Sequence, residues 1–268
     1  MKGRSDIRVT AYEDFIKASD TNPEVEVTFN MPARIIFTSG TTGRPKGVVK
    51  CHAGDYLTAF GYIKALRLTP DDVLFTAFPL YHSNAQVVCV YPAMVLKSRV
   101  TVYPRVSVSS YLRWIKQAGG TVTNTLGPLP YWLWNLPPSP ADTDHTLRKM
   151  LMSPAPSEPE IFYGFQKRFN VTIVDGYGLT ETGMVTYNPM EKRKPGSCGV
   201  TAVGYEVKIV NPEDDRTMPT GQVGEIVCRN KLPFVMLPWY YGDVEKSLEG
   251  FRNLWFHTGD LVKMDEEG

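Results

Sequence analysis

The chain has 268 residues, 43% of them apolar, with 29 Lys and Arg against 28 Asp and Glu. That length accommodates one large domain or two smaller ones with a sizeable core. The near balance of charge excludes a global field for nucleic acid or an anionic membrane, so any recognition of phosphate has to be local.

Residues 1–33 read as a lead-in, with helical character at 12–19 and an extended passage at 21–32. From 34 to 174, short β-branched runs (34–38, 73–77, 100–103, 121–123 and 171–174) alternate with helix-like stretches (55–66, 109–117 and 158–169). That alternation predicts a parallel sheet covered by helices on both faces. The most apolar run, 85–96, is too short to span a bilayer and contains Pro92, so no transmembrane segment is expected. A proline-rich passage between Pro137 and Pro159 is interrupted by a short strand near Leu151. After Pro195 the helices largely disappear. Alternating segments 205–210 and 223–229, broken by Asn211-Pro212, Pro219 and Gly221, predict a small antiparallel sheet or barrel. The expected fold class is therefore α/β, a parallel sheet covered by helices followed by a small antiparallel β-barrel-like subdomain. Its expected divisions are a lead-in at 1–33, an α/β part at 34–190 and a β-rich part at 191–268.

Cys51, Cys89, Cys198 and Cys228 form no C-x-x-C pair, and no ligand-spaced histidine accompanies them. Reduced thiols in a cytoplasmic protein are the expectation, and the polar start at residues 1–10 has no signal-peptide character.

The stretch Phe37-Thr38-Ser39-Gly40-Thr41-Thr42-Gly43-Arg44-Pro45-Lys46-Gly47 follows an apolar run. A glycine-rich turn between a strand and a following helix aims several backbone N–H groups and hydroxyls at one anion, while a lysine neutralises its charge. The G-x-x-x-x-G-K-[ST] template nevertheless fails: Pro45 stands at the second glycine and Gly47 follows Lys46. The magnesium-binding hydroxyl of that loop is absent, which disfavours a P-loop NTPase.

This loop resembles instead the phosphate loop of the adenylate-forming superfamily, which includes acyl-CoA synthetases, luciferases and the adenylation domains of peptide synthetases. Further motifs follow in order. Phe78-Pro79-Leu80-Tyr81-His82-Ser83 is similar to the aromatic/histidine segment at the acyl pocket, and Gly176-Tyr177-Gly178-Leu179-Thr180-Glu181-Thr182 to the adenine and magnesium motif. Gly224-Glu225-Ile226 is similar to the barrel signature, and Trp255-Phe256-His257-Thr258-Gly259-Asp260-Leu261 to the ribose motif. The resemblance covers Arg34 to Gly268.

The resemblance implies a two-step reaction. A carboxylate oxygen attacks the α-phosphorus of ATP, pyrophosphate leaves in line, and the acyl-adenylate loses AMP to the thiol of coenzyme A. It implies ATP or AMP binding by Thr38, Ser39, Gly40, Thr41, Thr42, Gly43, Lys46, Asp175, Gly176, Tyr177, Gly178, Thr180 and Asp260. Lys46, His82, Thr180 and Glu181 take catalytic roles, Glu181 as the Mg²⁺ ligand, and His82, Ser153, Ala155 and Gly176 border the acyl pocket. These roles make physical sense. Tyr177 offers a flat face between glycines for a purine, Glu181 a hard carboxylate oxygen for Mg²⁺, and Asp260 two oxygens for the ribose hydroxyls. Taken singly, each has a plainer account: a core tyrosine, an exposed acid at a helix start, a turn aspartate, and for His82 a structural histidine. His52, His145 and His257 read as structural or solvent-facing.

No acid occurs between Phe78 and Met94, which disfavours an amino acid substrate and favours a plain small carboxylic acid. The run 136–141 with Leu147-Arg148 is most similar to the carnitine/crotonobetaine-CoA ligase branch. Two departures qualify the resemblance. Where many relatives carry Gly-Gly-Ala-Pro this chain has Ser153-Pro154-Ala155-Pro156; Pro154 lacks an N–H, so Ser153 and Ala155 are expected as pocket walls only. Family members are also about twice this length, with a C-terminal domain that bears a lysine for the adenylation step. The expectation is a central fragment, with a nucleotide-binding module without turnover as the alternative. By itself the polypeptide is expected to catalyse carboxylate-dependent ATP–pyrophosphate exchange weakly or not at all, and exchange at the rate of a complete enzyme would contradict this.

Overall fold

In the computed structural model, which describes residues 11–17, 19–38 and 45–268, the first apolar strand stays out of the parallel sheet. After the single turn α1 (Tyr12–Phe15), β1 (Pro32–Thr38) pairs antiparallel with β2 (Lys46–Cys51), Thr38 opposite Lys46, as a separate two-stranded ribbon. The glycine-rich loop therefore joins strand to strand and not strand to helix. Two adjacent β-branched residues, Val48 and Val49, are the cause: both are buried in β2, and α2 (His52–Leu66) begins only beyond them.

A seven-stranded sheet follows, built from β3 (Val73–Thr76), β4 (Arg99–Val102), β5 (Val122–Leu126), β6 (Lys149–Ser153), β7 (Thr172–Leu179), β8 (Gly183–Tyr187) and β9 (Val200–Thr201). Its order is β4-β3-β5-β6-β7-β8-β9, parallel from β4 to β7 and antiparallel from β7 to β9. The sheet is thus mixed, because the three residues between β7 and β8 are too few for a parallel crossover.

Helices cover both faces. Successive strand residues point to opposite sides: Phe75, Met150 and Ile173 enter one apolar core, their neighbours Leu74, Leu151 and Val174 the other. The first core is closed by α5 (Tyr111–Ala118), α6 (Leu129–Trp134) and α7 (Pro159–Phe169). The second is closed by α2 and by the run α3 (Ser83–Ala85), a π turn (Gln86–Val90) and α4 (Tyr91–Leu96). α7 shows why such segments are helical. It has Pro159 and Glu160 in the first turn, Lys167 and Arg168 in the last, and buried Phe162, Phe165 and Phe169 along one stripe; Asn170 stops it in the left-handed region.

The β-rich part is a four-stranded antiparallel sheet of order β10-β11-β13-β12, from β10 (Tyr205–Val210), β11 (Val223–Asn230), β12 (Phe251–Arg252) and β13 (Trp255–Lys263), with α8 (Val244–Gly250) before β12. An apolar cluster that includes Val48, Val185, Cys228, Met236, Leu237 and Phe256 packs it against β2 and β8.

Beneath the β1–β2 ribbon lies a charged cluster. Arg34 and Lys50 are cross-strand partners, and both Asp55 oxygens accept from Arg34, at 2.7 Å from Nε and 2.6 Å from Nη2. Lys50 is 2% exposed and donates to the Val235 carbonyl at 3.3 Å. Its burial, only partly offset by Asp55, lowers its pKa to about 8. A depressed base is a stability cost that is full below pH 8 and fades as pH rises toward the ordinary value of 10.5. Lys50→Met is expected to stabilise the chain at pH 7 by on the order of 3 kcal/mol. Thermal melts from pH 7 to 10.5 should show the unmodified chain gaining on the variant as pH rises; parallel curves would contradict this.

Candidate active site

The β7–β8 hairpin carries most of the adenine and magnesium motif. A Cβ on Gly176 would lie 2.4 Å from the Thr186 carbonyl oxygen, and one on Gly178 would lie 2.0 Å from that of Gly183. Both glycines are therefore required by the close approach of the β8 backbone. Both also line the cavity beside Tyr177.

At the end of the hairpin, Thr182 Oγ1 accepts the Leu179 N–H at 3.0 Å and the Thr182 carbonyl accepts the Tyr205 hydroxyl. The turn so fixed presents Thr180 and Glu181. Glu181 is tied from the other side, its carbonyl accepting the Leu237 N–H at 2.6 Å and its Oε1 the Tyr240 hydroxyl at 2.9 Å. Lys46, where the glycine-rich loop rejoins β2, holds its Nζ 5.3 Å from the centroid of the same Tyr240 ring. Thr38 stands opposite Lys46. Ser39, Gly40, Thr41, Thr42 and Gly43 lie outside the described residues.

The Thr258-Gly259-Asp260 sequence forms a bulge in β13. Pairing with β11 jumps from Glu225↔Leu261 to Val227↔His257, and Gly259 takes φ +79°. Thr258 Oγ1 donates to the Ile226 carbonyl at 2.7 Å, and Glu225 Oε1 accepts the Gly259 N–H at 2.8 Å. The other Glu225 oxygen lies 2.9 Å from His257 Nδ1, which gives that histidine a structural partner. Asp260 Oδ2 accepts the Tyr177 hydroxyl at 2.5 Å. One of the two oxygens expected to face a ribose is therefore already engaged by the tyrosine.

Tyr177 stands between two cavities. One, of about 480 Å³, is lined by Ser153, Ala155, Asp175, Gly176, Gly178 and Cys198; the other, of about 710 Å³, reaches Leu261 and Met264. Volumes of this size suit a small organic ligand. Asp175 is buried in the first, its Oδ1 accepting from Asn188 Nδ2 at 2.9 Å. Asn188 also donates to the Lys194 and Ser197 carbonyls, so it positions the loop carrying Cys198. Burial raises the Asp175 pKa to about 6.

Lys46 and Glu181 thus share Tyr240 as a neighbour, and Tyr177 meets Asp260. His82 is not brought to them: it lines neither cavity, is exposed, and its Nδ1 accepts the Asn84 N–H at 3.2 Å at the start of α3. Sequence reasoning missed Tyr240 and Asn188. Tyr240 sits in a Tyr-Tyr-Gly-Asp run that reads as a turn, and Asn188 in an Asn-Pro pair that reads as a loop. Among the described residues no three His, Cys, Asp or Glu converge to hold a metal, and no helix is long and apolar enough to cross a membrane.

A family profile described as AMP-binding enzyme matches residues 4–240. A crotonobetaine/carnitine–CoA ligase of Salmonella heidelberg is 33% identical over 241 residues, which cover 88% of this chain and 46% of that protein. The chain thus spans about half the length of the curated relatives it matches. Among solved structures, ATP-bound MatB from Rhodopseudomonas palustris superposes with a TM-score of 0.83 at 27% identity, over 96% of this chain and 50% of that one. The O-succinylbenzoate coenzyme A synthetase MenE of Bacillus subtilis, in complex with AMP, superposes with a TM-score of 0.79 at 25% identity, over 96% and 52%.

A carboxyl whose pKa rises from 3.8 to about 6 on folding stabilises the protonated native state below pH 3.8, and that contribution is lost as pH passes 6. Asp175→Asn keeps an acceptor for Asn188 and is expected to stabilise the chain at pH 7 by on the order of 2 kcal/mol. Its advantage should shrink in denaturant titrations carried down to pH 4; an advantage independent of pH would count against the assignment.

Proposed function

The chain belongs to the AMP-binding enzyme family, and from that premise we propose that it forms the nucleotide-binding part of an acyl-CoA synthetase. In this reading a small carboxylic acid is activated by ATP as an acyl-adenylate and then passed to coenzyme A, in the cytoplasm. Two sets of contacts support it most: Lys46 and Glu181 share the side chain of Tyr240, and the Tyr177 hydroxyl donates to Asp260.

Each residue has a definite task. Thr180 donates its hydroxyl to the α-phosphate, and Lys46, with the N–H groups of residues 39–43, neutralises charge on the transferred group. Tyr177 stacks on the adenine beside Asp175, Gly176 and Gly178, while Asp260 accepts from the ribose through the oxygen that Tyr177 leaves open. Ser153, Ala155 and Gly176 wall the acyl end, with His82 at its approach. Glu181 fits Mg²⁺: Tyr240 engages one oxygen, and the other accepts no hydrogen bond among the described residues. Mg²⁺ is commonly held by one or two carboxylates together with substrate phosphates, and when bound it offsets phosphate charge. The protein forms no covalent bond; it holds the carboxylate and the α-phosphate in line and stabilises charge at the phosphoryl oxygens.

The absence of an acid between Phe78 and Met94 favours a plain carboxylic acid over an amino acid. The likeness of residues 136–148 to the carnitine/crotonobetaine branch gains support from the name of the Salmonella relative. The parts 34–190 and 191–268 would meet at the nucleotide, with Tyr177 and the loop carrying Cys198 on either side of the cavity.

Thr180→Ala is expected to leave the melting temperature nearly unchanged and Glu181→Ala to lower it modestly, since it strips the buried Tyr240 hydroxyl of its acceptor; both should weaken binding of ATP with Mg²⁺ in calorimetric titrations. In a complete enzyme each should cost ~10²–10³ in adenylation rate. Variants that bind ATP with Mg²⁺ as tightly as the unmodified chain would overturn the assignment of both residues.

A further inference from the structure

Tyr240 belongs to none of the motifs that carry the functional reading, yet it touches two of the residues in them. Its side chain is 6% exposed. Its backbone is fixed on both sides, through a bridge to Val48 of β2 and an N–H donated to Ser247 Oγ at 2.8 Å. The flanking residues extend this strand-like seat: Tyr241 N–H donates to the Gly47 carbonyl at 2.7 Å, and Val49 N–H to that of Trp239 at 3.3 Å. The ring can therefore move little relative to the point where the glycine-rich loop rejoins β2.

From that seat the hydroxyl donates to Glu181 Oε1 at 2.9 Å while Lys46 Nζ lies over the ring at 5.3 Å from its centroid. Lys46 and Glu181 carry opposite charges and sit against one side chain, yet they form no ion pair with each other. A direct pair would consume both charges, leaving the lysine less able to meet phosphate and the carboxylate less able to meet a cation. An aromatic ring with one hydroxyl prevents this. Its face attracts the ammonium weakly and its edge holds a single carboxylate oxygen, so neither charge is neutralised.

We infer that Tyr240 is a positioning residue, which keeps Lys46 and Glu181 apart and aims both at the same phosphate group. The inference rests on the phosphate and metal roles proposed above for those two residues.

The test is calorimetric titration of ATP into the unmodified chain, Tyr240→Phe and Glu181→Gln, each with and without Mg²⁺, alongside thermal melts. Tyr240→Phe keeps the ring over which Lys46 sits and removes only the hydroxyl, so the fold and the Mg²⁺-free affinity should be retained. Affinity in the presence of Mg²⁺ should fall about tenfold, the scale of one hydrogen bond to a charged group. In the double variant the two losses should fall well short of additive, since both act through one carboxylate. Suppose Glu181→Gln loses the Mg²⁺-dependent part of the affinity while Tyr240→Phe matches the unmodified chain under both conditions. The positioning role is then overturned and the functional reading stands. If neither variant alters a measurable Mg²⁺-dependent affinity, or the unmodified chain binds no ATP, both are overturned. A purely structural tyrosine would lower the melting temperature and weaken both titrations equally, which also contradicts the inference.

Discussion

The candidate site exists because two sheets of different construction are held together along one seam, and the hydrogen bond from Tyr177 to Asp260 spans it. Tyr177 comes from β7 of the mixed sheet, Asp260 from the bulge in β13 of the antiparallel one. Magnitudes separate what joins the sheets from what aligns them. A hydrogen bond to a charged group contributes about 1.5–3 kcal/mol. Each large apolar side chain buried in the seam, such as Met236, Leu237 or Phe256, contributes a comparable amount, and they are several. Apolar burial therefore holds the seam closed, and the Tyr177–Asp260 bond decides which atoms face each other across it.

Alignment at this precision needs a backbone that approaches closely and then departs from regularity. Gly176 and Gly178 allow the approach, since any side chain there would overlap β8. The bulge at residues 258–260 supplies the departure. By adding residues opposite Ile226 it turns the Asp260 carboxylate toward Tyr177, and Glu225 holds the extra N–H. On the other flank, the buried cluster of Arg34, Asp55 and Lys50 fixes the ribbon from which the glycine-rich loop departs. That cluster carries two cations for one carboxylate, and burial, only partly offset by Asp55, depresses the lysine.

Much of this is legible in the sequence, and the illegible remainder has identifiable causes. The helices expected at 55–66, 109–117 and 158–169 form, as α7 illustrates, and a strand forms near Leu151 as β6; the run from α3 to α4, α6 and α8 are not among the expected helices. The alternating segments at 205–210 and 223–229 form the antiparallel strands they suggest. β2 escapes notice because its apolar core is only Val48-Val49 between two lysines, and the strand runs straight into a helix with no turn signal at its end. The reversal from β7 to β8 escapes because its turn is Thr-Glu-Thr, without the Asn-Gly or Asp-Gly pair that marks a tight hairpin. Motif likeness locates Glu181 and Asp260 but says nothing of their partners. Tyr240 is 59 residues from Glu181 in the chain, and Tyr177 is 83 from Asp260. His82, at the start of α3, accepts the Asn84 N–H and lies outside both cavities around Tyr177.

The central claim is that the lysine at the loop exit, the acid on the hairpin turn and the aspartate on the bulge face one nucleotide. A crystal structure of this chain with a non-hydrolysable acyl-adenylate analogue tests it most directly. The account predicts adenine against the Tyr177 ring, ribose hydroxyls within hydrogen-bond reach of Asp260, and the phosphate between Thr180 and Lys46. A nucleotide bound elsewhere, or in this cavity with its phosphate turned away from Lys46 and Thr180, would contradict it.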